Sequence, residues 1–479
     1  MASFTERYHE LTKYNPTTID KLGAVNWNEQ PYPFKLYPDS KSIDLRNHLT
    51  DYQDPFSHFF ASENKFSLKL LSHLLYYTCG ITAKIIAEEG DHYLRANPSA
   101  GGLYPTEVYV QIKNTPEIPE GLYHFNPAQL SISKLPDGSK GLKDCFIDPE
   151  EGEADWLFFF TGIYARSAWR YKERAYRRIL LDTGHLVGNL LELCNTWDLN
   201  ARLFTGFYDK QLEEYLQLKT HQETPLLGLS LSQNPESQRK PFVYRSSSPE
   251  EAIKKVISSN PLLIQQNTCE RIWKESPTQL VETEEGALGK FRSFQLRSIE
   301  KSISQRRSCR EYQPVAISKE KLNQLLEYSY HSYSHVHGSL IGRCLKTWVL
   351  LLNVEGMDQG IYQLNNQTLQ LEQTLSGNMI QESLEIGLEQ PLAGTGAFNL
   401  IHTVHLPELI KKYGDRGYRY ACIEAGMIGE KINLIAEELE LGASGIGGYY
   451  DDLANKYLEL PLEEAILYIT TVGTPRSGE

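Results

Sequence analysis

A lysine followed directly by a tyrosine, Lys412-Tyr413, is the pair of residues best suited to proton chemistry in this sequence. Free Lys and Tyr side chains are poor bases because their pKa values lie at about 10. Burial lowers the pKa of a lysine, and a neighbouring ammonium lowers that of a tyrosine, so an adjacent pair can supply an activated base and an orienting group. The sequence leaves open which residue is the base, and we predict Tyr413 as the proton acceptor with Lys412 tuning it. The alternative is a helix-entry pair in which the tyrosine packs and the lysine is solvated.

This pair belongs to a segment that occurs twice. Residues 170–209 align without a gap with residues 412–451, an offset of 412 − 170 = 242, and 10 of the 40 aligned positions are identical. In the earlier copy the pair reads Arg170-Tyr171, for which packing and solvation are the preferred interpretation. A repeat of this length indicates two related domains in tandem rather than a solenoid.

Two further kinds of motif could hold an anion or a planar ring, and each occurs in one half. The second half carries a basic cluster and a Gly-rich turn: Arg306, Arg307, Ser308 and Arg310, then Gly445, Gly447 and Gly448. Guanidinium groups bind phosphate oxygens bidentately, and glycines let backbone N–H groups approach an anion. The first half has bulky side chains at that turn, 202–206, and carries instead a loop of small residues: Pro98, Ser99, Ala100 and Gly101. Because each half lacks what the other keeps, we predict one complete site between the domains. A solvated basic turn and an ordinary helix-to-strand turn are the simpler interpretations of the motifs taken singly.

Hydrophobic periodicity places these motifs among mixed helices and strands. Helices are predicted at 66–77, 174–197 and 319–328, strands at 107–113, 156–163, 347–354, 398–404 and 465–471, and hairpins near 121–132 and 360–363. The elements do not alternate in strict βαβ order, which favours an α+β fold with helices on a largely antiparallel sheet. We divide the chain into an arm at 1–60, a first domain at 61–231, a connector at 232–290 and a second domain at 291–479.

Composition narrows the class of protein. With 41% hydrophobic and 23% charged residues, the composition is typical of a soluble globular protein. The net charge of −13 argues against non-specific binding to nucleic acid. Its seven cysteines are scattered without a C-x-x-C pair, and His331, His335 and His337 lack further ligands at metal spacing, so we expect no disulfides and no metal. We identify no signal peptide and no membrane span, and therefore expect a cytoplasmic protein.

Taken together, the motifs resemble those of the nitroreductase superfamily. Residues 8–14, Arg95 with 98–105, and 121–124 resemble the azoline dehydrogenases of the SagB type, most closely the cyanobactin oxidases, and 306–310 looks like the superfamily's motif for the phosphate of FMN. The resemblance implies a central, mostly antiparallel sheet flanked by helices in each domain, with FMN at the interface of a pseudo-dimer. It also implies that Arg95, the loop 98–101 and the Arg and Gly motifs bind the cofactor, and that Lys412 and Tyr413 are catalytic.

The function implied by this resemblance is FMN-dependent oxidation of azoline rings to azoles in a ribosomally made precursor peptide, with thiazoline or oxazoline preference left open. Aromatisation removes a proton and a hydride, and the hydride needs a cofactor because no side chain takes two electrons in one step. Two rivals stay open: an NAD(P)H-dependent nitro- or quinone reductase, and a non-catalytic peptide-binding scaffold. The arm and the connector are candidate elements for docking the peptide, and a homodimer of the tandem chain is a further possibility.

Overall fold

The computed structural model describes residues 3–17, 19, 25–49, 66–87, 90–136, 141–233, 242–245, 258–276, 278–282, 299–330, 336–337, 340 and 344–476. Within these ranges no helix is both long and apolar enough to cross a membrane, and no group of three or more His, Cys, Asp or Glu side chains is arranged to hold a metal ion. His331 and His335 lie outside the described residues, as do the ends of the arm and about half of the connector.

Strands and helices are distributed over both halves. The strands are β1 (Ser42–Asp44), β2 (Ile81–Ala87), β3 (Gly90–Arg95), β4 (Thr106–Ile112), β5 (Gly121–Asn126), β6 (Ser131–Lys134), β7 (Trp156–Ile163), β8 (Ala201–Phe204), β9 (Glu223–Leu231), β10 (Phe242–Arg245), β11 (Gln279–Glu282), β12 (Val336–His337), β13 (Lys346–Leu351), β14 (Gly360–Leu364), β15 (Leu371–Ser376), β16 (Phe398–His405), β17 (Gly442–Ile446) and β18 (Glu464–Gly473). The helices are α1 (Phe4–Leu11), α2 (Leu68–Cys79), α3 (Tyr164–Tyr171), α4 (Ala175–Thr196), α5 (Asp209–Tyr215), α6 (Pro261–Cys269), α7 (Ile299–Gln305), α8 (Lys319–Ser329), α9 (Ile380–Ile386), α10 (Pro391–Thr395), α11 (Leu406–Tyr413), α12 (Arg416–Glu438) and α13 (Asp451–Tyr457).

Each half is organised around one large sheet. The order is β1-β6-β5-β4-β7-β9-β8-β12 in the first half and β15-β14-β13-β16-β18-β17 in the second. Neighbouring strands of both sheets are antiparallel, apart from the parallel pair in which β12 of the second half joins β8 of the first. The predicted α+β class and the tandem of two similar domains are therefore confirmed. A hairpin of β2 and β3 was missed, because its residues Ile85 and Ile86 face solvent and give no buried face to detect.

The long helices α4 and α12 cross at two glycines that the repeat aligns, Gly184 and Gly426. A Cβ atom added at Gly184 would lie 2.1 Å from the carbonyl oxygen of Ile423, and one added at Gly426 would lie 2.3 Å from that of Leu181. Only glycine allows two helix backbones to approach this closely. The pseudo-twofold axis of the tandem therefore passes near this crossing.

Ion pairs across the interface account for the most polar of the repeated residues. Asp451 of the second half accepts hydrogen bonds from Arg174 and Arg177 of the first, both at 2.7 Å. Their pseudo-symmetric counterpart is Asp209, which accepts from Arg416 at 2.8 Å and from Arg419 at 3.4 Å. Burial would raise the pKa of Asp451, but the two guanidinium groups lower it well below its usual range. The repeated motif is thus conserved between the copies because it joins the halves.

The arm and the connector contribute equivalent segments to this interface. The backbone N–H of Tyr14 donates to Asp451 at 3.3 Å, and that of Ile272 donates to Asp209 at 2.8 Å. Helices α1 and α6, which precede these residues, contact each other through Gln266 and Thr5 at 3.0 Å. The described part of the connector thus includes an interface helix, α6, besides the strands β10 and β11, and peptide docking on the connector stays a prediction.

Candidate active site between the two halves

The loop of small residues in the first half is fixed by a buried carboxylate on α4. Ser99 Oγ donates to Asp182 at 2.5 Å, Ala100 N donates to it at 3.0 Å, and Tyr104 N donates to Ser99 Oγ at 2.8 Å. Burial raises the pKa of Asp182 to about 6, although the hydrogen bonds from Ser99 and Ala100 act in the opposite direction. The Ser99 hydroxyl is thus engaged in hydrogen bonds to Asp182 and from Tyr104 that fix the loop, rather than left for a ligand.

The tip of this loop requires glycine. Gly101 and Gly102 have φ values of +65° and +66°, in the left-handed region that other residues enter at a cost. A Cβ atom on Gly102 would meet no heavy atom of the described residues within 4 Å, so these residues leave space open beside the tip. Pro98 accepts a hydrogen bond from Asn97 at 3.1 Å and begins the turn. The loop is therefore shaped to approach a ligand with its backbone.

The basic cluster of the second half reaches the start of this loop. Arg306, which is 4% exposed, donates from Nε to the carbonyl oxygen of Ala96 at 3.2 Å. Among the described residues its Nη1 has no hydrogen-bond partner, and a carboxylate oxygen of Glu430 lies 3.9 Å from Nε. Arg307 Nη1 donates to the backbone carbonyls of Ser304 and Arg306, and partial burial together with the Arg306 charge lowers the pKa of Arg307. Two adjacent guanidiniums with spare donors create a site for an anion such as phosphate.

Other members of the cluster lie along the same edge. Ser308 is half-buried and forms a parallel bridge with Ala443 in β17, which places it beside the Gly-rich turn. Arg310 is exposed. Gly445 lies within β17, opposite Thr470 of β18, and only Gly447 and Gly448 follow the strand. The structure therefore groups Arg306, Arg307 and Ser308 with the end of β17 and the turn after it.

The Gly-rich turn makes room for side chains. A Cβ on Gly447 would lie 1.8 Å from Nη1 of Arg178, and a Cβ on Gly445 would lie 1.9 Å from the hydroxyl of Tyr468. Gly448 packs against Leu388. These glycines admit side chains where the sequence suggested a direct backbone approach to an anion. Arg178 comes from the first half, and its Nε finds no hydrogen-bond partner in the part of the chain that the structure describes, so it adds another buried cation to the site.

Arg95 holds the arm against the loop. It is 2% exposed, donates from Nη2 to the carbonyl oxygen of Pro33 at 2.9 Å, and lies over the rings of Phe34 and Tyr104 at 5.3 and 4.8 Å. Its backbone N–H donates to the Tyr104 hydroxyl at 3.0 Å. These contacts give Arg95 a positioning role next to the site.

A buried hydrogen-bonded chain joins the two halves beside the Gly-rich turn. His185 Nδ1 lies 2.8 Å from Glu430 Oε2, and His185 Nε2 lies 2.8 Å from the hydroxyl of Tyr468. At the offset of 242, Met427 takes the place of His185 and Gly188 that of Glu430. The pseudo-symmetric region around Gly206 and Tyr420, the second interface, therefore lacks this hydrogen-bonded chain, which belongs to the first interface beside the Gly-rich turn.

The second interface is filled by the protein itself. Tyr244 in β10 packs on Gly206, where an added Cβ would lie 2.3 Å from the Tyr244 ring, and its carbonyl oxygen accepts a hydrogen bond from Tyr420 at 2.9 Å. Gly206 and Tyr420 are the counterparts of Gly448 and Arg178 at the offset of 242. Beside them, β12 extends the sheet along β8. The first interface keeps its cationic pocket, and the second is closed by β10 and β12.

The two copies of the basic residue–tyrosine pair, Arg170-Tyr171 and Lys412-Tyr413 (the aromatic pairs), lie at different interfaces. In the first half, the Tyr171 hydroxyl would lie 2.8 Å from a Cβ on Gly101, and Arg178 lies 5.1 Å from the Tyr171 ring centroid. In the second half, the Tyr413 hydroxyl lies 3.9 Å from Cys344 Sγ, and Lys412 is exposed with its Nζ 5.1 Å from the Tyr413 ring centroid.

Each pair stays with the loop of its own half. Leu340 N donates to Glu424 at 2.8 Å, as Ala100 N donates to Asp182, and Glu424 follows Asp182 by 242 residues. Helix α11, which ends at Tyr413, contacts the closing strand β10. The structure therefore brings the loop 98–101 together with Arg306, Arg307 and the Gly-rich turn, and places Lys412-Tyr413 on the side of the closed interface.

These residues fit FMN. Arg306 and Arg307, with Ser308, would hold its phosphate, because they combine buried or half-buried guanidiniums with an unpartnered N–H. The open space beside Gly102 and the cation of Arg178 would face its ring system. Sequence reasoning missed Arg178, Asp182, His185, Glu430 and Tyr468. Four of these residues, Arg178, Asp182, His185 and Glu430, lie in the repeated segment, and each is aligned with a different residue in the other copy. Such a difference, as between His185 and Met427, is the signal that could have found them.

Comparisons with known proteins agree with this architecture. The Nitroreductase family model matches residues 69–231 and 303–474. The chain is 30% identical over 168 residues to a candidate nitroreductase of Methanocaldococcus jannaschii, covering 34% of this chain and 78% of that protein. It is 25% identical over 178 residues to the microcin B17-processing protein McbC of Escherichia coli, covering 35% of this chain and 62% of McbC. A crystal structure of a candidate nitroreductase from Anabaena variabilis superposes with a TM-score of 0.85 at 31% identity, covering 99% of this chain and 100% of that one.

Proposed function

The chain belongs to the nitroreductase family, and from that premise we propose that it is an FMN-dependent oxidoreductase that oxidises azoline rings to azoles in a peptide. The observation that carries the proposal is the composite pocket in which Arg306 of the second half, buried with an unpartnered N–H, meets the small-residue loop of the first half. FMN bound there would supply the acceptor for the hydride that leaves the ring.

The protein's own residues would bind and orient the reactants. Arg306, Arg307 and Ser308 would hold the phosphate, and the loop 98–101, fixed on Asp182, would support the ring system. Aromatisation also removes a proton from the azoline ring, which requires an acceptor beside the ring. The two candidate acceptors are Tyr171 and Tyr413. A likeness to McbC, named for processing the peptide microcin B17, supports a peptide substrate. The narrower cyanobactin subtype rests on the sequence motifs alone.

The second candidate is an NAD(P)H-dependent nitro- or quinone reductase, which the relatives described as candidate nitroreductases favour. Both functions share the flavin site and differ in the electron donor. A scaffold without catalytic activity is the third candidate, and the unsatisfied donors of Arg306 and Arg178 argue against it because buried donors without partners cost stability.

Anaerobic mixing of the FMN-loaded protein with single reductants separates these functions. We expect a peptide containing thiazoline to bleach the flavin absorbance and to emerge 2 Da lighter, because aromatisation removes two hydrogens. NADPH is expected to bleach it slowly or not at all. Rapid bleaching by NADPH with no reaction of thiazoline or oxazoline peptides would establish the reductase instead. If the protein takes up no FMN, the non-catalytic scaffold would be the remaining candidate function.

A further inference from the structure

The two repeated tyrosines have different neighbours, and this difference bears on the proton transfer. We propose that Tyr171, held by Arg170, accepts the ring proton at the composite pocket, and that Lys412-Tyr413 belongs to the closed interface and takes no part in catalysis. The inference rests on the proposed azoline oxidation, since it names the base of that reaction.

The first support is contact with the small-residue loop 98–101. A Cβ on Gly101 would lie 2.8 Å from the Tyr171 hydroxyl and 3.0 Å from Arg170 Nη1. Both side chains are half-buried, and the neighbouring Gly102 faces open space. The phenol oxygen is therefore at the tip of the loop that approaches the ligand.

The second support is the charge around Tyr171. The groups that face it are Arg170 on its own helix, Arg178 and Asp182 on α4, and Tyr14 in the arm. The guanidinium carbons of Arg178 and Arg170 lie 5.1 and 5.6 Å from the ring centroid. Two cations stabilise a phenolate, and an arginine cannot itself act as a base because it stays protonated. This arrangement makes Tyr171 the proton acceptor and the arginines its orienting partners.

The third support is the connection to the second half. Arg178, beside Tyr171, fills the space at Gly447 in the turn next to Ser308. Through the Arg178 side chain, Tyr171 is thus connected to the turn of the second half that holds Gly447. At the other interface, Tyr244 occupies the space at Gly206, and the strand that carries it contacts the helix ending at Tyr413. Tyr413 is fully buried there and is adjacent to Cys344.

The proposed step balances as a proton transfer. The azoline carbon loses its proton to the Tyr171 phenolate oxygen, which becomes a phenol, and the electron pair of that C–H bond forms the new ring double bond. The second hydrogen would leave the adjacent carbon with its electron pair, and FMN, if bound as in the proposed function, would supply the acceptor for it. Burial raises the pKa of Tyr171, while Arg178 and Arg170 lower it in part. The phenolate is therefore the minor form at neutral pH, and we expect the rate to rise with pH.

The test compares Tyr171→Phe with Tyr413→Phe in the FMN-loaded full chain. General base catalysis contributes about 10²- to 10⁴-fold, so we expect Tyr171→Phe to slow anaerobic flavin reduction by a thiazoline peptide at least ~100-fold. Tyr413→Phe is expected to stay within about twofold of wild type, since no substrate contact is lost. The wild-type rate is expected to rise about tenfold per pH unit below the Tyr171 pKa, and Tyr171→Phe is expected to lose this dependence.

Two readouts separate chemistry from folding. The affinity for FMN and the affinity for the corresponding thiazole peptide are expected to be unchanged in both variants, because phenylalanine keeps the packing. Loss of rate in Tyr413→Phe with an active Tyr171→Phe, or two fully active variants, would overturn this inference and leave the azoline oxidation standing. A wild-type protein that neither thiazoline nor oxazoline peptides reduce would overturn the proposed function, and this inference with it.

Discussion

Replacing Arg306 with alanine is expected to weaken FMN binding by roughly 10- to 150-fold, because a hydrogen bond to a charged group contributes about 1.5–3 kcal/mol. Arg306 is buried, is anchored on the Ala96 carbonyl, and has an unpartnered Nη1. Its loss would also remove a contact between the phosphate motif and the small-residue loop. Titration of the apoprotein with FMN, followed by quenching of flavin fluorescence, measures the effect.

Arg46→Ala is the matched control for this variant. Arg46 is exposed and pairs with Asp44 at the edge of the first sheet, and exposed pairs contribute little to stability. We expect the control to bind FMN within about twofold of wild type. An Arg306→Ala variant that keeps its circular dichroism spectrum and binds FMN as tightly as the control would show that the phosphate lies elsewhere.

Replacing Gly184 with alanine is expected to destabilise the chain by about 3 kcal/mol or more, the upper range for overpacking a tight contact. The new Cβ would lie 2.1 Å from the Ile423 carbonyl oxygen and 2.8 Å from Gly426 Cα. Both are backbone atoms, so the helices must separate rather than repack a side chain. Because the composite pocket is built from both halves, the same change is expected to release FMN at a lower temperature.

Thermal unfolding monitored by circular dichroism and by flavin fluorescence measures both effects. Gly141→Ala is the control, since Gly141 is exposed, has a φ of −70°, and would bring its Cβ only to 3.3 Å from a flexible Asp144 side chain. We expect its transition to match that of wild type. If Gly184→Ala also unfolds like wild type, the close helix crossing does not exist as described.

The repeat predicted the architecture well because its identical residues serve the interface. Arg174, Arg177 and Asp209 recur as Arg416, Arg419 and Asp451, and the structure joins them across the halves. The proposed composite pocket rests on the complementary losses in the two halves, since the loop 98–101 and Arg306 lie in different halves. Such reasoning works when two copies of one fold diverge around a shared boundary.

The position of the aromatic pair could not be read from the same pattern. Lys412-Tyr413 and the basic cluster lie in the same half of the sequence, which suggested that they share a site. In the structure Tyr171 lies beside the loop of its own half, whereas Arg306 of the basic cluster contacts Ala96 of the opposite half. A repeat gives the register of equivalent residues and does not specify which side of a pseudo-twofold axis each faces. The closing of the second interface by Tyr244 was hidden for a similar reason, since β10 lies outside the repeat.

The number of FMN molecules released per chain tests the single composite pocket most directly. The protein is loaded with excess FMN, freed of unbound cofactor, denatured, and assayed for flavin against protein concentration. We expect one FMN per chain, because the second interface is filled by Tyr244 and has Met427 and Gly188 in place of His185 and Glu430. Two FMN per chain would contradict the asymmetry between the interfaces and restore Lys412-Tyr413 to a working site.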